Sequence, residues 1–228
     1  MHFNTPTLVT LTAPSCAGKS YLLEAMVDSL GMQRIVSTTD RAPRAGEIEG
    51  VHYNFITTNE SLQYEAEGKF AELVTFNGTR YGVTHEEMEK KLVPGAPAPI
   101  VILEPNGVNI YRQYCGSKNW SIFTVFVSTP EAVRLERLAA RTTADLLNIA
   151  VNGGDLEKSL LARGNLFDRF EKIVHANNKR LKAIIEQERL WAATNLWDAQ
   201  ITGQDLNVAL SHLKQSIASR NARSAIYA

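Results

Sequence analysis

The chain has 228 residues, 44% of them hydrophobic and 21% charged, enough to bury a sizeable core without disulfide or metal staples. Lysine plus arginine equals aspartate plus glutamate at 24 each, which excludes the broad basic field of a nonspecific nucleic-acid or acidic-membrane binder, so any phosphate binding has to be local. Cys16 and Cys115 make neither a disulfide framework nor a zinc pattern. No stretch nears the roughly 18 apolar residues of a membrane span, and the opening Met1–Pro6 lacks the regions of a signal peptide. The expectation is a cytoplasmic protein, in its own cell or in a host's, with no nucleic-acid or membrane partner.

In chain order, the first apolar run predicts a strand over 7–12 and the next pattern a helix over 18–30. Between them lies Ala13-Pro14-Ser15-Cys16-Ala17-Gly18-Lys19-Ser20. A strand-to-helix turn of this composition points backbone N–H groups at a phosphate and adds the positive end of the helix dipole. Lys19 reaches the outer phosphates and the Ser20 hydroxyl holds Mg²⁺. Ser15, Cys16, Ala17, Gly18, Lys19 and Ser20 are therefore the expected ATP-binding residues. Ala13 stands where the first glycine of such a loop usually lies, and is tolerable there at negative φ; Gly18, beside the phosphates, has no such latitude.

A strand over 33–37 leads into Ser37-Thr38-Thr39-Asp40-Arg41-Ala42-Pro43-Arg44-Ala45-Gly46-Glu47. Arg41 and Arg44 flank a proline that forbids regular helix, so both guanidinium groups can converge on one phosphate with paired hydrogen bonds. Short strands at 53–56 and 70–76, a helix over 59–67 and the Asn77-Gly78 turn predict a small inserted α+β unit. Pro94–Pro99 stiffens the return to the main sheet. Further strands are predicted at 99–104, 121–127 and 196–202, and helices at 106–114, 130–141 and 204–219. Residues 142–154 read as a flexible loop, 155–193 as one long or broken core-packing helix with Gly164 the favoured break, and the tail from Arg220 as frayed. Strand alternating with helix predicts an α/β fold with a parallel core sheet covered on both faces and a small inserted α+β lobe.

Three blocks make the chain resemble the guanylate kinases, P-loop nucleoside monophosphate kinases: the loop ending Gly18-Lys19-Ser20; Ser37–Glu47 continuing to Gly50-Val51-His52-Tyr53-Asn54-Phe55; and Phe70-Ala71-Glu72 followed by Gly78-Thr79-Arg80-Tyr81-Gly82. The resemblance runs over about 7–141 and returns more weakly near 155–218. It implies a P-loop three-layer fold with a parallel core sheet of 1–36, 85–141 and 166–228, an inserted α+β monophosphate-binding lobe of 37–84 and a helical lid of 142–165, in which Arg41, Arg44, Tyr53 and Tyr81 hold the monophosphate and Ser37, Glu72 and Glu104 read the base. Two forks and two phenols satisfy a charge of about −1.5 to −2. An ionised Glu72 can accept both N–H groups on the guanine edge, and a base without them leaves the carboxylate unpaired. Arg137 and Arg141, four apart on one helix face, resemble lid arginines, with either Arg163 or Arg169 completing the set. The implied catalytic residues are Lys19, Arg41, Arg137 and Arg141.

The chain departs from the family where a hydroxyl residue usually follows the Tyr-Gly pair, since Val83 donates nothing; where two aspartates usually lie, at Ile102 and Glu104; and at Cys16, a glycine in most relatives. The implied reaction is ATP- and Mg²⁺-dependent phosphorylation of GMP or dGMP by a monomer or homodimer. A broad deoxynucleoside monophosphate kinase and a noncatalytic protein-binding module are the alternatives.

Overall fold

The computed structural model describes residues 3, 5–14, 16–43, 46–76, 78–103, 105–152, 175, 197–202 and 205–226. Five parallel strands form the main sheet: β1 (Thr7–Thr12), β2 (Gln33–Arg34), β7 (Pro99–Ile102), β8 (Ser121–Ser128) and β9 (Ala199–Thr202), in the order β2-β7-β1-β8-β9. The central strand β1 is buried along its whole length. Two of its threonines find acceptors, the Thr12 hydroxyl donating to the Leu103 carbonyl at 3.0 Å and Thr7 to the Thr5 carbonyl at 2.8 Å, while the buried Thr10 hydroxyl meets none among the described residues. Pro99 opens β7, the position in a strand where a missing N–H costs least.

Side chains alternate across the strands and fill two cores. Val9, Leu11, Phe123 and Val125 pack against Leu22, Leu23 and Met26 of α1 (Lys19–Leu30) and Leu210, Leu213 and Ile217 of α6 (Leu206–Ile226). On the other face Leu8, Val101 and Leu103 meet Val108, Tyr111 and Cys115 of α4 (Pro105–Ser117) and Met88 of α3 (His85–Lys91). Helix, sheet and helix make the three layers anticipated from the alternating pattern.

A second sheet has the order β4-β3-β6-β5, built from β3 (Thr38–Thr39), β4 (Asn54–Phe55), β5 (Phe70–Phe76) and β6 (Thr79–Thr84). The helix expected over 59–67 is α2 (Thr58–Ala66), started by a capping box in which the Thr57 hydroxyl accepts from the Glu60 N–H and the Glu60 carboxylate from the Thr57 N–H. Helix α3, which the sequence reading passed over, is signalled by Thr84, whose hydroxyl accepts from the Glu87 N–H. Val83 of β6 joins the second core and anchors this sheet to the main one.

Two expectations need correction. Residues 142–152 are helical, because α5 (Glu131–Asn152) runs on past 141. Its alanines and leucines are strong helix formers, and Thr142 and Thr143 turn their hydroxyls back to the carbonyls of Leu138 and Ala139. The tail from Arg220 is also helical, through Ile226. Arg220 itself donates to the Ile122 carbonyl at 2.7 Å and lies 3.5 Å from Asp198, fixing that turn to the sheet edge. The long helix expected over 155–193 lies outside the described residues, His175 excepted.

Candidate functional site

The phosphate loop leaves the buried C-terminal end of β1 and enters α1 at Gly18, whose φ of +92° is left-handed. A side chain there would be strained, and its Cβ would lie 3.4 Å from Arg137 Nη1. Cys16 also takes a left-handed φ, +62°, and is half-buried; Ala13 keeps a negative φ, as its methyl requires. No side chain caps α1, so the first-turn N–H groups and the dipole are left to an anion. Lys19 folds over the loop, its Nζ donating to the carbonyls of Ala13 at 2.5 Å and Pro14 at 3.1 Å. Ser20 follows on the exposed face of the same turn.

The start of α5 is stitched to this loop. The Thr129 hydroxyl donates to the Ala17 carbonyl at 3.1 Å, Arg137 Nη1 to the Cys16 carbonyl at 3.3 Å, and Arg134 Nε to the Thr129 carbonyl at 2.9 Å. Arg134 is only 1% exposed. Burial pulls its pKa down, while Glu131 and Cys16 favour its charge. Sequence reasoning missed Arg134; the signal was an arginine one turn before Arg137, on the face that meets the loop. Arg141, one turn after Arg137, is exposed. Beside Gly18 a cleft of about 320 Å³ is lined by Tyr21, Leu22, Arg137, Asp205, Leu206 and Ala209.

A second cluster of polar and aromatic side chains centres on Arg41. Its guanidinium makes two 2.8 Å bonds to Glu47, donates to the Ala42 carbonyl at 2.8 Å, and lies 5.2 Å from the Tyr53 ring centroid and 5.7 Å from that of Phe55. The hydrogen bonds it donates to Glu47 raise its pKa most; burial opposes them and Tyr81 adds to them. Arg41 Nε is buried and finds no acceptor among the described residues. An orphaned guanidinium N–H inside a ring of Tyr53 and Tyr81, whose centroids are 6.0 Å apart, suits one further oxyanion. Glu47 was quoted in the sequence motif without a role, and its carboxylate fixes the orientation of Arg41.

Glu72 lies on β5 beside a register shift at Phe70/Glu72, paired across the sheet with Val83. Val83 is 1% exposed and packs among apolar side chains, so that position offers no hydroxyl to a base beside Glu72. The Glu72 carboxylate reaches the first turn of α4, where Oε1 would lie 3.2 Å from a Cβ placed on Gly107. Ser37 is half-buried at the end of the loop into β3, its carbonyl accepting from the Asn54 N–H at 2.9 Å. The structure thus gathers Arg41, Tyr53 and Tyr81 in one pocket and Cys16, Ala17, Gly18 and Lys19 around another, with Arg137 at the second. Ser15, Arg44, Glu104, Arg163 and Arg169 lie outside the described residues.

Comparison with known proteins adds a family. Residues 5–188 match the family model described as guanylate kinase. The guanylate kinase of Bifidobacterium longum is 33% identical over 132 residues, 57% of this chain and 67% of its own. That of Anaeromyxobacter dehalogenans is 30% identical over 200 residues, 85% of each chain. Other guanylate kinases match over as little as 43% of their length. The crystal structure of the guanylate kinase of Anaplasma phagocytophilum superposes with a TM-score of 0.60 at 18% identity, over 96% of this chain and 87% of its own, a likeness of fold.

Proposed function

The chain belongs to the guanylate kinase family, and from that premise we infer that it transfers the terminal phosphoryl group of ATP to GMP, giving ADP and GDP. The observation that carries this reading is the pair of anion-binding constellations: an uncapped helix start under a left-handed glycine with Lys19, and Arg41 with one buried N–H unspent.

Lys19, the loop amides of Ser15–Gly18 and the first turn of α1 hold the donor phosphates, and the adenine lies in the cleft between Arg137 and Leu206. Arg41, Arg44, Tyr53 and Tyr81 hold the acceptor phosphate, while Ser37, Glu72 and Glu104 read the guanine. An oxygen of that phosphate, already largely ionised, attacks the terminal phosphorus in line, so no strong base and no covalent enzyme intermediate are needed. Arg137 and Arg141, joined by Arg163 or Arg169, balance charge on the group in flight. Mg²⁺ suits the donor set, since it keeps most of its ligands as phosphate oxygens and water and takes few from protein, and Ser20 on the first turn of α1 supplies a hydroxyl. Bound there, the ion neutralises phosphate charge. Among the described residues no three acidic, histidine or cysteine side chains converge to hold an ion alone.

Residues 37–84 form the acceptor lobe and 142–165 the lid, on a core of 1–36, 85–141 and 166–228. Because 142–152 is helical, lid closure carries a helix rather than a loop. No helix among the described residues is long and apolar enough to cross a membrane, and the reading places the enzyme in the cytoplasm with its nucleotides. The test is coupled ADP formation under saturating MgATP with GMP, dGMP, AMP, IMP, CMP and UMP. Turnover with GMP and little with pyrimidines is expected; equal rates across the panel would reject Glu72 as the base reader, and none with any acceptor would reject the activity.

A further inference from the structure

Tyr111 is a large polar side chain in an apolar place. It is 0% exposed in the core formed by Leu8, Val83, Leu103 and Val108, and its hydroxyl meets no acceptor at good hydrogen-bond geometry among the described residues. Phenylalanine would fill that space without burying an oxygen, which costs free energy unless the oxygen is used. The group the hydroxyl faces is the Glu72 carboxylate, and burial together with that negative charge pushes the phenol pKa up, so it stays protonated and able to donate.

The placement follows from the helix. Tyr111 is four residues after Gly107 on α4, and helical side chains lean back over the preceding turn. The residue at 107 is what lets the carboxylate in: Glu72 Oε1 would stand 3.2 Å from a Cβ there. On the sheet side Glu72 is paired with Val83, which has no donor. We propose that Tyr111 is a positioning residue for base selection: its hydroxyl donates to the inner oxygen of Glu72 and turns the carboxylate so that both oxygens' outer lone pairs meet the two adjacent N–H groups of guanine. The inference rests on the reading of Glu72 as base reader and adds the residue that aims it.

The experiment compares Tyr111→Phe, Glu72→Gln and wild type in steady-state kinetics with GMP and with IMP, which lacks the exocyclic amino group, alongside thermal unfolding. Tyr111→Phe should raise KM for GMP about tenfold, the scale of one hydrogen bond to a charged group, narrow the GMP-over-IMP preference in kcat/KM by a similar factor, and leave kcat, KM for ATP and the melting temperature nearly unchanged. Glu72→Gln should raise KM for GMP at least as much. If Glu72→Gln matters and Tyr111→Phe shifts KM for GMP by less than twofold, or raises GMP and IMP equally, the role of Tyr111 is overturned while Glu72 stands. If Glu72→Gln itself leaves GMP unaffected, the base-reader assignment falls and this inference with it.

Discussion

Gly82→Ala probes the link between the second sheet and base recognition with a single methyl group. Gly82 lies on β6 in negative-φ backbone, so the substitution strains no dihedral; the difficulty is space. The new Cβ would stand 2.6 Å from the Glu72 carbonyl oxygen and 2.6 Å from Phe70 Cδ1, about 0.8 Å inside the 3.4 Å where ordinary contact begins. The Phe70 ring can rotate, but the carbonyl is backbone, so β5 must move outward at Glu72 by roughly that amount. A binding constellation tolerates about 0.5 Å of misplacement, so the carboxylate leaves its productive position. KM for GMP should rise about 10- to 100-fold, equivalent to about 1.4–2.7 kcal/mol. Overpacking should also destabilise the fold by about 1–3 kcal/mol, lowering Tm by about 2–4 °C per kcal/mol. KM for ATP should hold within twofold, because the phosphate loop hangs from the other sheet. The assay is coupled ADP formation with each substrate varied in turn, beside a thermal melt. An unchanged KM for GMP would refute the argument that strand β5 aims Glu72, and a parallel rise in both KM values would mean a general loss of structure.

Lys19→Ala should reduce kcat by at least about 10³-fold and leave the thermal midpoint within about 2 °C, since the bonds it makes to Ala13 and Pro14 are to carbonyls of the loop; retained turnover would remove the lysine from the donor site. Arg137→Ala should cost at least about 10³ in kcat with a smaller change in unfolding, the structural loss being a 3.3 Å bond to the Cys16 carbonyl; a loss of stability in proportion to activity would make Arg137 a clamp only. Burial pushes the Cys115 thiol up to about 11, and it is 1% exposed, while Cys16 is half-buried in the loop. Alkylation of native protein at pH 8 should therefore modify Cys16 alone, MgATP should slow it, and Cys115 should react only after unfolding; peptide mapping that finds Cys115 modified first would contradict the packing of α4.

Much of this fold was legible because the signals are local. The apolar run before Gly18-Lys19-Ser20 predicts β1, the loop and α1, and the structure adds the left-handed φ that only its backbone shows. Arg41 stands out in the sequence by its spacing to Arg44 across Pro43, but its carboxylate partner does not: Glu47 is six residues away in a loop of no regular period, so only the folded geometry reveals the two hydrogen bonds between them. The loop reading of 142–154 leaned on its ending, Asn152-Gly153-Gly154, whereas the Thr142 and Thr143 hydroxyls bond within the helix and the Ala/Leu stretch beyond carries α5 on through Asn152. Arg134 and Tyr111 were illegible for a common reason. Each is a polar side chain that the fold buries, Arg134 against the Thr129 carbonyl and beside the phosphate loop it helps to pack, Tyr111 among the apolar side chains of the second core, and burial of a polar atom leaves no periodicity in the sequence.

The most direct measurement is calorimetric titration with adenosine and guanosine joined through five phosphates, a molecule that spans two facing anion pockets and no single one. One equivalent should bind each chain at least about 10²-fold more tightly than either ATP or GMP, with the pre-addition of either nucleotide competing against it. Binding no tighter than ATP, or displacement by ATP and not by GMP, would contradict the claim that the donor and acceptor phosphates are held within reach of each other.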